Sequence, residues 1–134
     1  RTFTSPHTVS YVFTAYEDTG GAHGNTFFKT FTFDTQASNE LELVDLFTPS
    51  SGYLGKLSSM ARAKLPTILG DMADTQMVDA GTAPDAKSFE SWYLDGSTLV
   101  LLFPPYAVAP YAAGSQTLPI LLTDLADLLK LEYR

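Results

Sequence analysis

The sequence predicts an α+β fold: a mainly antiparallel sheet with one central amphipathic helical region and a short C-terminal helix. Three observations carry this. Residues 8–17 (TVSYVFTAYE) and 26–33 (TFFKTFTF) alternate with the period of two that marks strands. Leu54, Leu57, Ala61, Leu65 and Ile68 recur at roughly helical spacing. Leu99–Phe103 is apolar without alternation, as in a strand buried on both faces, and follows an Asp95-Gly96 turn signal. With 134 residues the chain suits a single domain, 1–134, long enough to bury a core without metal or disulfide support.

In chain order, the first strand places Val9, Tyr11, Phe13 and Ala15 on one face. The turn-rich run Asp18–Asn25 then leads into a second strand with Phe27, Phe31 and Phe33 together, so the pair reads as a hairpin with a projecting loop. Asp34–Asn39 is a turn, Glu40–Leu43 a short strand and Val44–Phe47 a helical turn. Ser50 and Ser51 are placed to cap the helix that follows. Pro66 is expected to break or kink that helix, with a second piece from Pro66 carrying Leu69, Met72, Ala73 and Met77. Asp79–Lys87 reads as loop. Trp92–Leu94 and Ser97–Phe103 form a hairpin whose Asp-Gly suits a type I′ turn. Thr117–Leu122 is a strand that Pro119 confines to an edge. Thr123 or Asp124 caps a closing helix to Lys130, with Leu125, Leu128 and Leu129 inward. LELVDLF (41–47) and ILLTDLADLL (120–129) echo one another, too briefly for a repeat protein.

The formal net charge of −7 speaks against phosphate-rich nucleic acid and against electrostatic docking on anionic lipid. It suits a basic partner, and it equally serves solubility. The absence of cysteine excludes disulfides, thiolate nucleophiles and Cys-bound zinc. No apolar run is long enough to span a bilayer as a helix. The sequence opens on Arg1 rather than Met, as expected of a processed or excerpted chain.

No motif of established chemistry is present. His7 and His23 form no ligand-spaced pair, and Asp71, Asp74 and Asp79 do not match a calcium loop, so no metal and no cofactor are expected. There is no G-x-S-x-G elbow, and Glu17, Glu40, Glu42 and Asp45 include no pair whose spacing singles it out as an acid/base couple. His23, with Gly21 and Asn25 in the turn GGAHGN, is a candidate ligand-binding or proton-carrying group; a His in such a turn also serves simply to cap a carbonyl. The most unusual segment is PPYAVAPYAAG (Pro104–Gly114). Three prolines stiffen it, and Tyr106 and Tyr111 lie five apart. It reads either as an aromatic platform, with Trp92 as a further candidate, or as a buried structural loop that is too apolar to expose cheaply.

YEDTGGAHGNTFFKTFTFD (16–34), LVDLF (43–47), the helix after SSGYL, GTAP (81–84) and PPYAVAPYAAG occur here in an order that resembles one bacterial family. It is the domain of unknown function at the C-terminus of the RsiV anti-sigma factor and in PdaC-like polysaccharide deacetylases. Ala107 departs from it, since members often carry Glu or Gln there. The resemblance implies an extracytoplasmic α+β domain without an established activity of its own. In RsiV the domain is a lysozyme receptor, and in the deacetylases a separate domain carries the chemistry. The expectation is therefore a non-catalytic binding or sensor domain of an envelope protein, recognising a basic lysozyme-type protein. The alternatives are a glycan-binding accessory domain and an unrecognised hydrolase using His23. The last needs a nucleophile or carboxylate within hydrogen-bond reach of the imidazole. Neither nucleic acid nor direct membrane contact is expected.

Overall fold

The computed structural model describes residues 1–134 and has an α+β architecture of two antiparallel sheets and two α-helices. The first sheet takes β1 (Thr2–Thr4), β2 (Thr8–Glu17), β3 (Asn25–Asp34) and β4 (Glu40–Leu41) in that order. The helices α1 (Tyr53–Leu69) and α2 (Thr75–Gly81) follow. A second sheet of β5 (Trp92–Asp95), β6 (Thr98–Phe103) and β7 (Gln116–Leu121) completes the chain, with β6 central. No helix is long and apolar enough to cross a membrane.

The main core lies between α1 and the second sheet. Leu57, Ala61, Leu65 and Leu69 recur every four residues along α1 and are buried, facing Leu99, Leu101, Leu118 and Ile120. Ile68, expected inward, is 46% exposed because Leu69 takes the place on the buried stripe. Pro66 does not break the helix as expected. It sits exposed in the last turn, where only one backbone bond is lost, and α1 runs on to Leu69. The stop comes at Gly70, whose φ of +56° leaves the helical region, and Asp74 then caps α2 by accepting from Met77 N–H at 2.9 Å. The expected serine cap of α1 is absent as well. Gly52 holds the N-cap with φ +72°, and the Ser51 hydroxyl is buried without a partner.

The β5–β6 hairpin turns at Gly96-Ser97, with Asp95 opposite Thr98. Positive φ occurs at Gly96 alone, so the turn has Gly at its first central position, the type II′ pattern rather than the expected I′. Pro119 does lie on an edge strand, β7. The closing helical segment takes the form of two 3-10 turns, Leu122–Leu125 and Leu131–Tyr133, rather than one α-helix from Thr123 to Lys130. Cross-strand bonds hold it open: Thr48 N–H donates to Leu128 C=O and Lys130 N–H to Leu46 C=O. The echoing segments at 41–47 and 120–129 thus meet each other, through a bridge between Phe47 and Leu129.

The first sheet sets hydroxyls among the apolar residues of its inner face and leaves several aromatic rings on its outer face. Register pairs Val9 with Phe33, Tyr11 with Phe31 and Ala15 with Phe27, so these residues do share a face, but it is the outer one. Phe13 is 56% exposed and Phe27 45%. The inner face carries Thr8, Ser10 and Thr32, all buried, beside Val12, which packs with Phe3 and Phe28 against Tyr93, Val100 and Leu102. The cause lies in the second sheet, where β5 is an edge strand. Its Trp92 N–H donates to Thr30 Oγ1 at 3.3 Å, its Leu94 N–H donates to Ser10 Oγ at 3.2 Å, and Gly96 N–H donates to Thr4 C=O. Side-chain hydroxyls therefore satisfy backbone donors that no neighbouring strand reaches. Apolar residues at those inner positions would leave the donors orphaned.

Candidate functional site

The β2–β3 loop and the PPYAVAPYAAG segment, some eighty positions apart in sequence, converge on one exposed cluster. Each arm is held by its own sequence. In the hairpin, Asp18 Oδ1 accepts from Gly20 N–H at 2.9 Å and Gly20 has φ +80°, which turns the chain. Gly24 packs against the Tyr16 ring so closely that a Cβ there would clash with it. In the second arm, Ala107 N–H donates to Pro104 C=O at 3.1 Å, closing a turn over 104–107. Pro105 and a positive φ at Tyr106 (+71°) follow the type II pattern. Glycine or asparagine is the usual occupant of that position. A tyrosine there is strained by about 1–2 kcal/mol.

The PPYAVAPYAAG segment has a buried centre and more exposed flanks. Val108 and Ala109 are buried in the main core, and the Ala107 carbonyl lies against Gly81 of α2, where any side chain would collide. This buried centre anchors the segment. The flanking Tyr106 and Tyr111 point the other way, to the hairpin loop.

Their geometry with His23 is specific. The His23 and Tyr111 rings stack at 3.9 Å with planes 20° apart. The Tyr106 hydroxyl lies 3.2 Å from His23 Nε2, and the Tyr111 hydroxyl donates to Gly24 C=O at 3.1 Å. His23 Nδ1 lies 3.4 Å from the same carbonyl. With Nδ1–H donating there, Nε2 is left to accept from Tyr106. Tyr106 remains 53% exposed and Tyr16, beside Gly24, 65%. The cluster thus offers solvent-facing aromatic surface and a hydroxyl–imidazole pair, the combination that suits a ligand with apolar faces and polar edges. The groups within hydrogen-bond reach of the imidazole are the Tyr106 phenol and the Gly24 carbonyl.

Among the sequence candidates, His23, Tyr106 and Tyr111 come together. Gly21 lies exposed in the same hairpin loop, and Asn25 opens β3 opposite Glu17. Trp92 does not join them. It is only 5% exposed and borders a different cavity, beside β4. Tyr16 and Gly24 were not singled out from sequence. The alternating strand and the glycine-rich turn were both legible, but not that the end of one packs on the other.

The family described as "Protein of unknown function (DUF3298)" matches residues 44–122, more than half of the chain. The chain belongs to the DUF3298 family. It is 36% identical over 126 residues to the peptidoglycan-N-acetylmuramic acid deacetylase PdaC of Bacillus subtilis, a match that covers 94% of this chain and 27% of PdaC. The chain therefore spans about a quarter of that curated relative. It also resembles the crystal structure of a DUF3298 member from Bacteroides fragilis, with a TM-score of 0.74 and 26% identity, covering 92% of this chain and 49% of that one. A DUF3298 protein from Pseudomonas aeruginosa shares the fold at a TM-score of 0.69 and 19% identity, over 95% of this chain and 57% of that one.

Proposed function

We propose that this DUF3298 domain is a non-catalytic, extracytoplasmic binding module of a cell-envelope protein, and that it holds a wall glycan on His23, Tyr106 and Tyr111. The observation that carries this reading is the convergence of two distant loops on an exposed His–Tyr–Tyr cluster whose central residue, Tyr106, is held at a positive φ. Backbone strain of this kind gathers at ligand sites, where the surrounding structure enforces it. A sugar ring has apolar faces for stacking and hydroxyls for Tyr106 and His23. The wall context is supported by the likeness to PdaC, whose name places its chemistry on peptidoglycan. Co-sedimentation with purified peptidoglycan tests the proposal: retention of the wild-type domain supports it, and full recovery in the supernatant refutes it.

A second reading, a basic protein of the lysozyme type as ligand, is favoured by the net charge of −7. Electrostatic steering toward such a partner weakens with salt. Calorimetry against lysozyme at low and moderate ionic strength separates the two readings. Heat that diminishes with salt favours the protein ligand, and no heat at either salt removes it.

A further inference from the structure

A second cavity, remote in sequence from the His23 cluster, has the makings of a binding site of another kind. It opens between β4, the start of α1 and the start of β5, and measures about 280 Å³. Its wall is aromatic: Tyr53 from α1, Phe89 from the 3-10 turn Lys87–Phe89, and Trp92 from β5. Glu40, Glu42 and Glu90 border it and are exposed. The ion pairs of the structure, Arg62–Asp79 and Lys64–Asp124, involve none of these three glutamates. An apolar floor therefore lies beneath a rim of uncompensated negative charge.

Trp92 adds to the cavity wall a donor that the chain itself does not use. Its backbone N–H is taken by Thr30, but its indole N–H has no acceptor within the chain. The one fully buried side-chain polar atom without a partner is Ser51 Oγ. Trp92 borders the cavity and is 95% removed from solvent, while its indole nitrogen is not among the fully buried atoms. Tyr53 senses the same field: burial raises the pKa of its hydroxyl, and the charges of Asp45 and Glu42 raise it further.

We propose that this cavity receives an apolar side chain from a basic polypeptide segment, with flanking Lys or Arg residues on Glu40, Glu42 and Glu90 and a backbone carbonyl accepting from the Trp92 indole. A cation alone fits poorly, because the charges sit at the rim while the interior is apolar. An apolar residue between two basic ones matches both zones at once. The proposal does not depend on a glycan occupying the loop cluster.

Trp92 is the sole tryptophan, so its indole N–H cross-peak is an unambiguous reporter in a heteronuclear NMR titration. Acetyl-Lys-Leu-Lys-amide at low salt is expected to move that peak saturably. Acetyl-Gln-Leu-Gln-amide and acetyl-Lys-Gly-Lys-amide are each expected to bind at least several-fold more weakly. Glu40→Gln/Glu42→Gln/Glu90→Gln should weaken the first peptide by roughly five- to tenfold, as two exposed charge pairs of modest strength predict. These glutamates are on the surface, so the variant is expected to fold, and the unperturbed remainder of the spectrum verifies it. An unmoved indole peak at millimolar peptide overturns the proposal. So does equal binding by the triple variant, or a response to glucosamine without a response to the peptide.

Discussion

Tyr111 stacks on His23 at 3.9 Å while its hydroxyl donates to Gly24 C=O, so one side chain fastens both the ring and the backbone of the opposite loop. We expect the two contacts to separate by substitution. Tyr111→Phe keeps the stack and loses one hydrogen bond, which costs about 1 kcal/mol. Tyr111→Ala loses both, and also frees the hairpin loop. Amide exchange over residues 18–24 should rise modestly in the first variant and strongly in the second. Equal exchange in both would mean that the stack does not order the loop.

Tyr106 tests whether strain has been retained for binding. Asparagine tolerates positive φ far better than tyrosine. Tyr106→Asn is therefore predicted to leave thermal stability unchanged or to raise it by up to about 1 kcal/mol, while removing the hydroxyl–imidazole pair and lowering affinity for the ligand. A variant that is both less stable and fully competent in binding would contradict this.

Gly81 positions the tyrosines from beneath. A methyl group there collides with the Ala107 carbonyl, so Gly81→Ala must push the PPYAVAPYAAG segment away from α2. Overpacking of this kind costs about 1–3 kcal/mol. Chemical denaturation gives the cost, and loss of ring-current shifts on His23 reports displacement of Tyr111. Wild-type stability with an unchanged His23 environment would show that the contact is not tight.

The two faces of the first sheet make a paired prediction. Ser10→Val places an apolar group where Leu94 N–H needs an acceptor, and should cost about 1–3 kcal/mol although hydrophobicity rises. Phe13→Thr on the outer face should change stability by no more than about 0.5 kcal/mol although hydrophobicity falls. Denaturant midpoints of the two variants decide it, and the reverse order would refute the assignment of faces.

Asp34 links folding to pH. Its pKa is lowered, first by the Ala37 backbone N–H, then by the Tyr133 hydroxyl, which donates to Oδ2 at 2.9 Å. Burial first, and then the bond to Asp34, raise the pKa of Tyr133. Because the folded-state pKa of Asp34 lies below its ordinary value of 3.8, its contribution is fully present above that value and is lost as pH falls through the folded pKa. Thermal melts from pH 6 downward should show a steeper acid loss in the wild type than in Asp34→Asn. Parallel curves would contradict the linkage.

The sheet hairpins, the helix stripe and the edge position of β7 were legible because alternation, four-residue spacing and proline each act locally. Three features were not. Which face of β2 and β3 turns inward depends on the unpaired N–H groups of β5, more than sixty positions away. The closing segment has the pattern of a helix, but its carbonyl and amide bonds to Leu46 and Thr48 hold it in 3-10 turns. In the site, His23, Tyr106 and Tyr111 stood out as residue types in stiffened loops. Their convergence follows from how the Gly81 contact docks the second loop, and Trp92 is held apart in the core at the start of β5; no local pattern encodes either.

The most direct test of the binding account is the affinity of the domain for purified peptidoglycan, compared between wild type and Tyr106→Asn with the fold of each verified. The account predicts saturable binding by the wild type and a loss of roughly tenfold or more in the variant, whose stability is intact. Equal retention of both proteins on peptidoglycan, or of neither, would contradict it.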